Sequence, residues 1–262
     1  MSDSTTTTVA NGELAPRDAA AAHAKAHVAH PPYQRHHFES VSQQFDATNF
    51  AMWIFLLTEI MFFGGLFTSY LVLRNWYYPA FVEGSHHLSI FWGTTNTAVL
   101  ITSSFTMAMG VWCAQTGRKA ALIAFLSLTF FLGLVFLCIK GIEWHAEWVD
   151  HHVPGLRYTV SDFVNPSLDP SVYNEYHDKP LIGGMADKTE EYFFLYFAMT
   201  GMHALHMVVG IGILVFMLFQ AMRGAYTEGH FTFVENFGLY WHFVDIIWIF
   251  LYPLLYLISR HT

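Results

Sequence analysis

Four places in this 262-residue chain put ionisable side chains inside apolar sequence. Glu59 lies in WIFLLTEIMFFGG, His203 and His206 in MTGMHALHMVVG, His242 and Asp245 in LYWHFVDIIW, and Glu143 in KGIEWHAEW. An ionisable group in lipid costs about 3 kcal/mol or more unless it is paired or hydrated, so such positions concentrate function. A carboxyl at Glu59 suits a proton relay, a metal ligand, a lipid or subunit contact, or a hydrogen-bonded packing residue. Residues at i and i+3 share a helix face. His203 with His206 could therefore ligate haem or metal, or hydrogen-bond to a neighbouring helix. Asp245 could fix the tautomer of the His242 imidazole. Glu143, among Trp144, His145 and Trp148, suits an interfacial anchor.

The elements that must position these groups are membrane helices. The chain is 54% hydrophobic and 12% charged, and its apolar residues fall in long blocks. A bilayer core of about 30 Å needs roughly 20 apolar residues per helix. Runs bounded by turn residues predict an all-α, polytopic bundle of five transmembrane helices, at 48–74, 89–115, 118–144, 190–222 and 236–259. Asp46 is the expected N-cap of the first, and Gly117-Arg118-Lys119 joins the second and third as a hairpin. In the second, Thr95, Asn96, Thr102, Ser103, Thr106 and Gly110 form a polar stripe suited to close packing.

Arg35, Arg118, Lys119 and Arg223 flank the side of the N-terminus, against Arg74, Arg260 and the partly embedded Lys140 on the other. That bias places the N-terminus in the cytoplasm and the C-terminus outside. Helical rise sets Glu59 about 15 Å into its span, near mid-membrane. It also sets His206 about 24 Å and His242 about 9 Å from the cytoplasmic end, so the two pairs do not form one metal site. We expect no catalytic or metal-binding residue in this chain.

Residues 1–47 are expected to form a mobile polar tail, with a short docking segment around 33–38. Its His23, His27, His30, His36 and His37 belong to low-complexity sequence. Residues 145–189, acidic and turn-rich, are expected to form an ordered outer-face cap, with His151-His152 as surface decoration. Cys113 and Cys138 are too far apart in depth for a disulfide and are expected as small core residues. The net charge of -8 argues against a basic, phosphate-binding surface, and no nucleic-acid partner is expected. There is no internal repeat, GxGxxG, Walker loop or CxxCH sequence.

The ordered motifs WIFLLTEIMFFGG, NTAVLITSSFT, GIEW, TGMHALHMVVG and YWHFVDIIWIFLY resemble the cytochrome c oxidase subunit III family, in its five-helix bacterial form. The resemblance spans residues 48–259. It implies an accessory subunit of a proton-pumping haem-copper oxidase in a bacterial inner membrane. Haem and copper would reside in partner subunits I and II, with a cytochrome c or a cytochrome domain as donor. It implies phospholipid binding and support of proton uptake. Carried over by motif, Glu59 matches the family's buried reactive carboxylate, and Glu143, His203, His206, His242 and Asp245 match its polar positions. Arg223 resembles a lipid-headgroup contact. A quinol oxidase third subunit and a nitric oxide reductase accessory subunit are the related alternatives. A stand-alone di-iron oxygenase would need several clustered HxxxH or HxxHH motifs, which do not occur, and a transporter is the other reading of a buried Glu59.

Overall fold

The computed structural model describes residues 41–155, 158–159, 186–224, 226 and 231–258. The chain divides into two units, residues 1–46 and 47–262. Of the first, residues 41–46 are described and are helical. The docking segment at 33–38 and the five tail histidines lie outside the described residues, as does most of the 145–189 cap.

Among the described residues the structure is wholly helical: α1 (Val41–Trp76), α2 (Tyr78–His87), α3 (Ile90–Gln115), α4 (Lys119–Val149), a 3-10 turn (Ala186–Lys188), α5 (Thr189–Met222) and α6 (Thr232–Tyr256). All but α2 are long and apolar enough to cross a membrane, which gives the five spans expected. The ends differ in detail. α1 starts at Val41, so Asp46 lies within it and caps nothing. α4 runs five residues past the expected end, to Val149. α6 begins at Thr232 and stops at Tyr256. The short α2 was not expected; Pro79 near its first turn has its ring φ preset for a helix start.

The α3–α4 hairpin closes as read. Gly117 takes φ 66°, and the Arg118 amide donates back to the Cys113 carbonyl at 2.9 Å, satisfying the end of α3. Helices α3, α4, α5 and α6 then pack as a ring, each against two neighbours. Two indoles fill its centre. Trp241 lies against Gly133 of α4 and Gly210 of α5, where added Cβ atoms would come 3.1 Å and 3.0 Å from its ring, and its Nε1 donates to Ser103 Oγ at 3.0 Å. Trp248 donates to Thr97 Oγ at 3.2 Å and meets Phe136 edge-on. The stripe on α3 splits: Asn96, Ser103, Thr106 and Gly110 face the ring, while Thr102 is exposed and bonds back to its own helix at Ala98. Cys113 is buried, but Cys138 faces outward, correcting its expected place in the core.

The outside of the bundle carries many large apolar side chains. Phe105, Phe131, Phe216, Ile246 and Phe250 are all exposed. Water would penalise such a surface and lipid does not, whereas backbone groups are satisfied within each helix. α1 packs most loosely, with 11% of its apolar window buried. It reaches the ring through long side chains, which leaves a cleft beside it.

Candidate functional site

The cleft lies between α1, α5 and α6. Glu59 Oε2 is 3.1 Å from His206 Nε2, and His206 Nδ1 is 2.8 Å from the carbonyl of Met202, so both ring nitrogens are engaged. Phe63 stacks obliquely on the His206 ring and edge-on against Phe243, and the Tyr240 hydroxyl donates to the His206 carbonyl at 2.9 Å. Towards the other end of α1, Tyr70 donates to the Leu254 carbonyl. These contacts fasten α1, and below Glu59 a cavity of about 530 Å³ remains open.

His203 does not share this site. One turn before His206, it is 1% exposed, wedged between Phe136 and Trp248, and neither ring nitrogen meets a protein partner among the described residues. Of the two histidines, only His206 makes the interhelical bond expected of the pair. His242 and Asp245 are also not joined as expected. His242 Nδ1 is bonded to Ser104 Oγ at 2.6 Å, across to α3. Both carboxyl oxygens of Asp245 are buried without a hydrogen-bond partner among the described residues. The imidazole is thus paired with the α3 hydroxyl and not with the carboxyl one turn along its own helix.

Glu143 is no interfacial anchor. It is 5% exposed at the centre of a second polar site. Lys140 Nζ donates to Glu143 Oε1 at 3.1 Å, to the Tyr196 hydroxyl at 2.9 Å and to the Tyr256 hydroxyl at 2.7 Å. Both tyrosines also donate to Glu143 Oε1, Tyr196 at 2.6 Å. The ammonium sits over the rings of Tyr196 and Trp248, 4.6 Å and 5.2 Å from their centroids. Lys140, counted as an orienting flank, is thus 2% exposed and neutralised inside the bundle. Its pairing was readable: Lys and Glu at i and i+3 in an apolar run share a face. The tyrosines, on α5 and α6, were not.

Close by, His152 Nδ1 lies 2.7 Å from Glu147 Oε2, and both residues are over nine-tenths buried. The His152 ring meets His87 of α2 and Phe193 of α5. This overturns surface decoration for His152, although His151 beside it is exposed. The turn after α4 folds His152 inward, with His151 at φ 60°. Arg223 caps α5, exposed, with its guanidinium 3.9 Å from the Phe219 ring centroid. No three His, Cys, Asp or Glu side chains are grouped to hold a metal among the described residues.

Five apolar helices with internally paired charges define a polytopic membrane protein. The family model for cytochrome c oxidase subunit III matches residues 173–260. Cytochrome c oxidase subunit 3 of Corynebacterium diphtheriae is 30% identical over 213 residues, covering 79% of this chain and 85% of that protein. The Thermostichus vulcanus protein of the same name is 30% identical over 208 residues, 79% and 85% of the two chains. That of Synechocystis is 28% identical over 220 residues, 81% and 76% of the two. The chain belongs to the cytochrome c oxidase subunit III family.

Proposed function

We propose that the chain is the non-redox third subunit of a proton-pumping cytochrome c oxidase in a bacterial inner membrane. It packs against subunits I and II, which hold the haem and copper and receive electrons from a cytochrome c or a cytochrome domain. The relatives' names carry the cytochrome c branch and favour it over a quinol oxidase or a nitric oxide reductase accessory subunit. The N-terminus is cytoplasmic and the C-terminus outside, and Arg223 contacts a phospholipid headgroup at the cytoplasmic interface.

One observation carries a supporting rather than a chemical role: the Glu59–His206 pair, at mid-membrane depth, opens onto an apolar cleft. There Glu59 organises lipid or water beside the catalytic subunit and supports proton uptake. The test is Glu59→Gln in the assembled oxidase. Assembly stays intact, while the number of turnovers before inactivation falls or proton uptake slows. Unchanged turnover and inactivation rates would sink the reading.

A further inference from the structure

The cleft beside α1 has a chemistry more specific than a greasy groove. Its volume, about 530 Å³, is that of a small-molecule site. Four polar side chains line it: Glu59, His206, Asn236 and Tyr240, whose hydroxyl already donates to the His206 carbonyl. Glu59 and His206 hold each other. Asn236 is 6% exposed, and both its amide oxygen and its amide nitrogen are without a protein partner among the described residues. A buried amide left so costs about 1–3 kcal/mol, so a donor-and-acceptor ligand at this position relieves a standing penalty.

The walls decide the ligand class. Phe55, Phe233, Phe237 and Tyr240 contribute rings, and aromatic faces suit a flat head better than a saturated chain. Among the eleven lining residues there is no Lys or Arg. A phosphate would be desolvated there without a compensating cation. A neutral ring bearing hydroxyl or carbonyl oxygens needs none: a hydroxyl donates to Asn236 Oδ1 or to Glu59, and a ring oxygen accepts from Asn236 Nδ2. The remaining wall, from Met52, Leu205, Val209 and Ile213, takes an apolar tail.

We propose that the cleft between α1, α5 and α6 binds a neutral, ring-headed membrane amphiphile of the quinol class, with Asn236 and Glu59 holding its oxygens. The proposal concerns binding and assigns no electron transfer to this chain. It rests on the reading of the cleft as open to the membrane, but its test does not use turnover, so the two can fail separately.

The assembled oxidase in detergent is photolabelled with an azido-benzoquinone carrying a short isoprenoid tail, and the labelled peptides are mapped. Label is expected on residues 52–59 and 233–240, displaced by excess decyl-benzoquinol and not by phosphatidylglycerol. Asn236→Leu keeps the volume but removes both amide groups, and is expected to weaken quinol competition about tenfold. Label confined elsewhere, displacement by phosphatidylglycerol instead of quinol, or unchanged competition in Asn236→Leu overturns the proposal. If that variant does not assemble, the wild-type map and competition decide alone.

Discussion

Glu59 and His206, 147 residues apart, meet at 3.1 Å and join α1 to α5. Because α1 is otherwise loosely packed, this bond helps fix how the helix stands against the ring.

His206→Leu removes the partner of Glu59 and is expected to destabilise the bundle by about 1–3 kcal/mol. His206→Gln, which still offers a donor, should recover much of that. The measurement is the temperature at which the subunit leaves the detergent-solubilised oxidase. Equal loss in both variants would mean that the ring packing against Phe63, not the bond, is what matters.

Lys140→Met leaves Glu143 buried with the two tyrosine hydroxyls but without its cation, and removing one partner of a buried pair costs about 3–5 kcal/mol. The double variant Lys140→Met/Glu143→Leu should be markedly more stable than the single one. A double-mutant cycle on subunit retention reads this. If the losses simply add, the two side chains are not coupled.

His152→Leu leaves Glu147 buried without its imidazole and frees the turn that follows α4. Amide exchange over residues 150–155 should then rise about tenfold or more, as local opening becomes easier. Exchange as slow as in the unaltered chain would show that the backbone bond from His152 to Glu147, at 3.0 Å, holds the turn unaided.

Two glycine substitutions should differ sharply. At Gly84 an added Cβ would stand 2.4 Å from the Tyr192 ring, whereas at Gly141 nothing lies within 4 Å. Gly84→Ala should cost about 1–3 kcal/mol by overpacking α2 against α5. Gly141→Ala, in the exposed middle of α4, should be neutral or stabilise by about 0.5–1 kcal/mol. Thermal unfolding of the two variants side by side checks both.

What the sequence determined by itself was everything governed by local composition and rise. Apolar runs about as long as a bilayer is thick can only be helices, so the five spans and the Gly117 turn were legible. The expected depths of about 15 Å for Glu59 and about 24 Å for His206 were not, since the two side chains meet at 3.1 Å. Motif order across 48–259 pointed to the family. The sequence could also place Lys140 and Glu143 on one face, because a helix makes i and i+3 neighbours.

Which of those groups find each other was decided only by the tertiary structure. Spacing alone made His203 and His206 a pair, yet ring packing sends one between Phe136 and Trp248 and the other to Glu59. It likewise gave His242 to Ser104 instead of Asp245, and turned His152 from the surface to Glu147. Helix rotation about its own axis and the choice of neighbouring helix are set by packing many side chains at once, around Trp241 and Trp248 here. No single stretch of sequence encodes that, so polar partners more than 50 residues apart, such as Lys140 with Tyr196 and Tyr256, appear only when the ring closes.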